Sequence, residues 1–265
     1  MDDVADVKGK KRNGLAWFEH LTGIFLGIRR YLPELIVGFF TLSVLFILLF
    51  RFVPPPFTYL MIKRWIFSEN RRLEYEWTDF HQIAPALKVC AMASEDQNLP
   101  FHYGLDLEAI SKAVDYNAKG KKIRGASTIS QQVAKNLFLW PDRSYIRKIF
   151  EIYFTLGIET LWTKERILEM YLNIAETGDG IYGVQAASRI FFNKDASKLS
   201  STESASIIAI LPSPIRYSAT NPGVYVAGRR DKIVRLYKTL DGPFYLRELY
   251  VRSEKSLYDF RKYKE

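Results

Sequence analysis

The sequence predicts an all-α protein in which one transmembrane helix precedes a helical main domain. Three observations support this prediction: apolar residues recur at helical spacing along most of the chain after residue 80, no convincing series of strands is present, and residues 35–50 carry no charge. With 265 residues, of which 48% are hydrophobic and 15% aromatic, the chain can bury the core of one domain of ordinary size.

The uncharged run from Leu35 to Phe50 marks the predicted membrane span. Continued to Val53, it makes roughly 29 Å of helix at about 1.5 Å per residue, which matches a bilayer core. The alternative, a buried soluble helix, is disfavoured because large apolar side chains occupy all faces. Prolines 54–56 then end the helix. Basic residues before the span give a slight bias towards a cytoplasmic amino terminus and an external main domain: Lys8, Lys10, Lys11, Arg12, Arg29 and Arg30.

The composition restricts the classes of partner and site. A net charge of +9 indicates an acidic partner: nucleic acid, an anionic membrane surface or a phosphorylated substrate. The single cysteine, Cys90, excludes an internal disulfide and a zinc site built from several cysteines, and its apolar neighbours predict that it lies in the core. The three histidines lack metal-ligand spacing, so no metal site is predicted.

Two adjacent carboxylates, Glu95 and Asp96, follow an apolar helix predicted to start at Pro85. Glu95 then lies at the carboxyl end of the helix, where partial negative charge disfavours ionisation, as suits a general base. The alternative is an acidic helix end that faces solvent. On this stretch alone the solvent-facing helix end is the favoured interpretation, but the motifs that follow favour the general base.

Four further predicted helices carry polar groups. Asp106 caps a helix from Leu107 to about Ala118, after which residues 119–125 form a basic, glycine-flanked loop. Thr128 and Gln131 form a capping box, which predicts a helix amino terminus suited to anions. A plain surface helix is the alternative for that segment.

A long central helix is predicted from Ser144 to Leu161, with Ile146, Ile149, Phe154 and Ile158 among the residues of a broad apolar surface. Arg147 and Glu151 are four residues apart on it and form an ion pair. Two interpretations are possible. The pair can be an ordinary structural ion pair within a helix, or it can belong to a functional site in which a second carboxylate lies beside two cations, Arg147 and Lys148. Thr163 caps the next helix, from Lys164 to Asn173.

In this order the motifs resemble those of the peptidoglycan glycosyltransferases. The similarity covers about residues 57–240, with Leu99 where the family normally has phenylalanine and Ser130 where it normally has threonine. Because the sequence stops at residue 265, the resemblance is to the monofunctional members, without a transpeptidase domain. The motif residues are Glu95, Asp96, His102, Gly104, Gly125, Ser127, Thr128, Ile129, Gln131, Gln132, Lys135, Asn136, Arg147, Lys148, Glu151, Glu169, Tyr171 and Asn173.

The resemblance implies a lysozyme-like helical catalytic domain with a small membrane-facing jaw. It also implies that the enzyme polymerises lipid II, with inversion, and releases undecaprenyl pyrophosphate. Glu95 and Glu151 would be catalytic, Glu95 as the base, while Lys135, Arg147 and Lys148 would hold pyrophosphate. The other expected substrate-binding residues are Asp96, His102, Ser127, Thr128, Gln131, Gln132, Asn136, Glu169, Tyr171 and Asn173.

Lipid II, the growing lipid-linked glycan and membrane lipid are the expected partners, together with other cell-wall synthesis proteins and without nucleic acid. No cofactor is required, although a divalent cation such as Mg²⁺ or Mn²⁺ is compatible with the family. The expected location is the inner membrane, crossed once, with the catalytic domain on the periplasmic side. The expected segments are a cytoplasmic 1–34, a membrane span 35–53, a connector 54–80, a glycosyltransferase domain 81–240 and a basic helix 241–265.

Two other classes of function remain open from the residues. A lysozyme-like hydrolase also uses paired carboxylates in a helical cleft, but a neutral glycan leaving group needs no cluster of Lys135, Arg147 and Lys148. A membrane-anchored scaffold would instead use the basic tail from Arg229 to Lys264, a pattern that is usually a solvated helical face. A test for polymerisation of lipid-linked glycan by the parent, and for its loss in a Glu95 variant, distinguishes the glycosyltransferase, the hydrolase and the scaffold.

Overall fold

The computed structural model describes residues 30–68, 71–118, 120, 127–142 and 144–254, and within them the chain is mostly helical, which confirms the predicted fold class. The helices are α1 Arg30–Phe52, α2 Tyr59–Phe67, α3 Pro85–Glu95, α4 Leu107–Ala118, α5 Ile129–Phe138, α6 Tyr145–Leu161, α7 Lys164–Ile174, α8 Val184–Phe192, α9 Ser201–Ile210, α10 Val224–Thr239 and α11 Leu246–Glu254. Short 3-10 helices occupy Phe80–Gln82, Ala196–Lys198 and Gly242–Tyr245.

The chain divides into two compact units, with the boundary between Leu49 and Phe50. Most of α1 lies in the first unit. This helix is long and apolar enough to cross a membrane, and side chains such as Leu35 and Val37 are exposed. The helix extends before the predicted start of the span, at least to Arg30. It ends at Phe52, just before the prolines, because proline cannot donate the next backbone hydrogen bond.

The core of the second unit is built around α3. Its buried face packs against α9 and α10, and it also contacts α7. Cys90 is fully buried there, as predicted, and burial raises the pKa of its thiol to about 12. Since α3 is fixed by packing on several helices, its last residue, Glu95, has a defined position.

The predicted broad apolar surface of α6 is only partly buried. Ile146 and Ile149 are 64% and 67% exposed, whereas Phe154 and Ile158 are buried. The inward stripe also includes Glu151. The helix packs mainly on α5 through this narrower stripe, so its amino-terminal apolar residues remain uncovered.

Three strands that the sequence analysis did not predict form a small sheet. They are β1 Glu74–Tyr75, β2 Glu176–Gly178 and β3 Ile181–Tyr182, in the order β1-β3-β2, with β1 parallel and β2 antiparallel to β3. Strands of two or three residues are too short to show a period of two, which explains why the pattern missed them. The sheet joins the connector before residue 80 to the main domain.

The carboxyl-terminal segment is not one basic helix over 241–265 in its described part. Asp241 and Gly242 have positive φ angles of 63° and 56°, which interrupt the helical path. A 3-10 turn at Gly242–Tyr245 then leads into α11, and residues 255–265 lie outside the described residues. The predicted basic loop at 119–125 also lies outside them, apart from Gly120.

Candidate active site

Glu95 is the last residue of α3, and three side chains contact its carboxylate. Its Oε1 accepts hydrogen bonds from Ser94 Oγ at 2.9 Å and from Arg229 Nη2 at 2.7 Å. Its Oε2 accepts one from Gln132 Nε2 at 3.3 Å. The carboxylate is therefore ion-paired and oriented from α5 and α10, which its position at the helix end alone does not predict.

A cavity of about 550 Å³ lies beside Glu95. Residues of α3, α4 and α10 form its walls, and Ser127 and Thr128 line it just before α5 begins. Charged side chains of both signs face it, among them Asp106, Lys112 and Lys232. The predicted base thus faces a polar cavity large enough for part of a sugar substrate.

Asp96 and His102 stabilise the loop that follows α3. Asp96 Oδ1 is 2.9 Å from His102 Nε2, and Asp96 Oδ2 accepts a hydrogen bond from the backbone of Ile129 at 2.9 Å. Thr128 Oγ1 donates to the carbonyl of Gly104 at 2.6 Å, which closes the other end of the loop onto α5. These contacts favour a structural role for Asp96 and His102 over the predicted contact with substrate.

The start of α5 has the predicted capping box. Thr128 Oγ1 accepts from the backbone of Gln131, and Gln131 Oε1 accepts from the backbone of Thr128. Gln131 is buried and used as a cap, a role that does not require the predicted contact with substrate. Gln132, Lys135 and Asn136 are half-buried and follow one another along one face at helical spacing.

Glu151 lies in a second cluster of charges, on α6. Its carboxylate is buried and pairs with Arg147 Nη1 at 2.7 Å and with the Lys148 amine. Because only 11% of the Arg147 side chain and 4% of the Glu151 side chain are exposed, this is not the ordinary surface pair of the alternative interpretation. Two cations around one carboxylate leave a net positive charge, which suits an anionic ligand.

Two arginines of the site have a buried donor without an acceptor among the described residues. They are Arg147, through its Nε, and Arg229, through its Nε. A buried N–H group normally has a partner, because leaving it unsatisfied costs roughly 1–3 kcal/mol. Both guanidinium groups therefore have a donor that the described residues do not use.

Three predicted substrate residues of α7 are buried behind the site. Glu169 Oε1 accepts from the backbone of Phe80 at 2.7 Å. Asn173 is hydrogen-bonded to both backbone groups of Thr78, at 2.8 and 2.9 Å. Tyr171 is also buried, and burial followed by the negative charge of Glu95 raises the pKa of its hydroxyl. The structure thus places Tyr171 close to the cleft, and it makes Glu169 and Asn173 supports of the chain around residues 78–80.

The sequence analysis missed one residue of the site and one supporting ion pair. Arg229 was assigned to the basic tail, yet it follows the buried Val226 by three residues and precedes the buried Ile233 by four, so it lies on the inward stripe of α10. A cation on a buried stripe is the signal that could have identified it. Glu159 and Lys164 pair at 2.7 Å, and Lys164 also donates to the carbonyl of His102.

Comparison with known proteins gives a consistent result. The sequence model of the Transglycosylase family matches residues 62–238. A biosynthetic peptidoglycan transglycosylase of Xanthomonas campestris pv. campestris (strain B100) is 53% identical over 209 residues, which cover 77% of this chain and 85% of the relative. One from Xanthomonas euvesicatoria pv. vesicatoria (strain 85-10) is 49% identical over 82% of this chain and 91% of its own.

A third relative of the same name, from Pseudomonas putida (strain GB-1), is 48% identical over 83% of this chain and 95% of its own. The matched region contains every predicted site residue, from Glu95 to Asn173. Helices α3 to α9, with the oriented carboxylate at the end of α3 and the cation cluster on α6, lie within the same region. The chain belongs to the transglycosylase family.

Proposed function

We propose that this peptidoglycan transglycosylase polymerises lipid II into glycan strands and releases undecaprenyl pyrophosphate. The observation that carries the proposal is the arrangement of two different charge environments around α5. Gln132 of α5 contacts Glu95 beside the cavity, and α6, which bears Glu151, packs along α5. One environment suits a base, and the other suits an anionic leaving group.

In the proposed reaction the 4-hydroxyl of the acceptor sugar attacks the anomeric carbon of the donor. A new bond forms between that oxygen and the carbon, while the bond from the carbon to pyrophosphate breaks, with inversion. Glu95 accepts the hydroxyl proton, and the pyrophosphate leaves as an anion. Arg229 and Gln132 orient the Glu95 carboxylate for this step.

We assign the binding of the pyrophosphate leaving group to the cations near Glu151. Arg147 and Lys148 are held by Glu151, and Lys135 lies on the same face of α5 as Gln132. The guanidinium of Arg147 suits this role, because a guanidinium can bind phosphate oxygens through several donors at once. A hydrolase acting on a neutral glycan would gain nothing from this cluster, which favours the synthetic reaction.

The membrane helix fits the same proposal, because the lipid tail of the substrate stays in the bilayer. We assign α1 as a single span of the inner membrane, with the main domain on the periplasmic side. A reporter active only in the cytoplasm, fused after residue 265, is expected to give no signal. A strong signal would reverse the orientation.

The assignment of the base is tested by comparing Glu95→Gln with Glu151→Gln. Glutamine keeps the size of the side chain but cannot accept the proton, so Glu95→Gln is expected to reduce polymerisation of lipid II by about 10²- to 10⁴-fold. It should still bind a phosphoglycolipid inhibitor. Glu151→Gln should weaken inhibitor binding as well as the rate, because Arg147 and Lys148 lose their shared partner.

The decisive measurements are inhibitor affinity and polymerisation rate for both variants in detergent. A near-normal rate in Glu95→Gln, combined with a slow Glu151→Gln that binds normally, would make Glu151 the base. Shortening of finished peptidoglycan by the parent, without extension of lipid-linked glycan, would favour the hydrolase instead.

A further inference from the structure

A tyrosine that follows the family-matched region contacts the backbone just after Glu95. Tyr245 Oη donates a hydrogen bond to the carbonyl of Gln97 at 2.6 Å. The family match ends at residue 238, so this contact is made by a segment outside it. We propose that Tyr245 is a positioning residue, which holds the loop after Glu95 so that the carboxylate keeps its place beside the cavity.

The tyrosine is delivered by a rigid turn. Asp241 and Gly242 take left-handed conformations, and the 3-10 helix Gly242–Tyr245 follows them. A Cβ at Gly242 would lie 3.2 Å from Tyr237 atoms of α10, so the turn packs closely on that helix. The position of the Tyr245 hydroxyl is therefore fixed by its own turn as well as by the hydrogen bond.

Buried leucines hold the next helix. Leu246 is 5% exposed and Leu249 is fully buried, and α11 packs against α7 and α3. Burying a leucine side chain stabilises a protein more than one exposed hydrogen bond does. The hydrogen bond of the Tyr245 hydroxyl thus contributes little to the stability of this segment, and removing the hydroxyl should leave the segment in place.

The backbone carbonyl that Tyr245 binds, that of Gln97, lies close in sequence to the proposed base. Gln97 is two residues after Glu95, where the chain has just left α3. Asp96 fixes the loop to α5 through the backbone of Ile129, and it contacts His102 within the loop. Tyr245 fixes the loop from the carboxyl-terminal segment. Without the Tyr245 hydroxyl, the first turn of the loop loses its hydrogen bond to the carboxyl-terminal segment. A small displacement of a reacting group is enough to lower a rate severalfold or more.

The test compares Tyr245→Phe with Tyr250→Phe in the full chain. Phenylalanine keeps the ring and removes only the hydroxyl. Tyr250, on α11, is a matched control because its hydroxyl has no hydrogen-bond partner among the described residues, while its ring packs against Phe80. Tyr245→Phe is expected to lower the kcat for lipid II polymerisation about 3- to 20-fold with KM nearly unchanged, and Tyr250→Phe to leave both at parent values.

Hydrogen exchange supplies a readout that does not depend on activity. Amides of residues 97–99 and 101–104 should exchange faster in Tyr245→Phe. Exchange in the buried part of α3 and the unfolding temperature should stay at parent values. Only the measurement of kcat and KM rests on the proposed function. A parent that fails to polymerise lipid II would refute the proposed substrate, and the exchange measurement would still test the contact.

Three results would overturn the inference. One is a Tyr245→Phe variant with parent kcat, and another is unchanged exchange at residues 97–99 and 101–104. The third is an equal loss of rate in Tyr250→Phe, which would mean that a general loosening of α11 is responsible.

Discussion

Replacing Asn173 with alanine tests whether this predicted substrate residue is a structural support. The side chain is fully buried and makes three hydrogen bonds: it accepts from Thr78 N at 2.8 Å and donates to the carbonyls of Thr78 and Glu169, each at 2.9 Å. At about 1 kcal/mol each, their loss costs about 3 kcal/mol. The buried Thr78 amide, left without an acceptor, adds roughly another 1 kcal/mol.

A loss of about 4 kcal/mol is a large part of the roughly 5–15 kcal/mol that stabilises a domain. For a domain of this size it corresponds to a decrease of about 8–16 °C in unfolding temperature. The assay is thermal unfolding of the full chain at one detergent concentration and scan rate, with the exposed Asn221→Ala as control. Below its unfolding temperature, Asn173→Ala should still bind a phosphoglycolipid inhibitor. An unfolding temperature within 1 °C of the parent together with lost binding would refute the argument and return Asn173 to the substrate site.

Two further predictions concern charges. Arg147→Lys keeps the charge but loses the forked donors, so it should lower the polymerisation rate about 10- to 100-fold without lowering the unfolding temperature. The control Arg189→Lys, at an exposed pair with Glu76, should change neither the rate nor the unfolding temperature. A parent rate in Arg147→Lys would exclude the leaving-group role. Burial lowers the pKa of Lys88 to about 8 from 10.5, so the unfolded chain binds more protons than the folded one between these values and stability should rise with pH across them. Lys88→Met should remove this rise and be more stable than the parent at pH 7 by on the order of 2 kcal/mol, as measured by denaturant unfolding at pH 7 and pH 10; parallel pH curves for the two proteins would contradict the argument.

Local sequence signals located the helices that carry the site with good accuracy. Pro85, Thr128, Ser144 and Thr163 each mark a helix start that the structure confirms, because caps and first-turn prolines act through atoms a few residues apart. The ion pair between Arg147 and Glu151 was predictable for the same reason, since residues four apart on a helix are neighbours.

The sequence analysis did not predict which polar motif residues are buried. Gln131, Glu169 and Asn173 are polar residues in motifs, which suggests contact with substrate, yet each is buried and hydrogen-bonded to backbone. A sequence shows that a side chain is polar but not which distant backbone group it satisfies. The partner of Asn173, for example, is 95 residues away.

The sequence by itself determined the long apolar helix near the amino terminus, the positions of the main helices and the pair of carboxylates, Glu95 and Glu151, because these depend on composition, spacing and local capping. Only the tertiary structure decided what surrounds those carboxylates. Arg229 reaches Glu95 across 134 residues, and Tyr245 reaches Gln97 across 148. Such contacts arise when α10 and the turn before α11 pack against α3. Helix packing depends on the shapes of whole faces, so no short stretch of sequence specifies it.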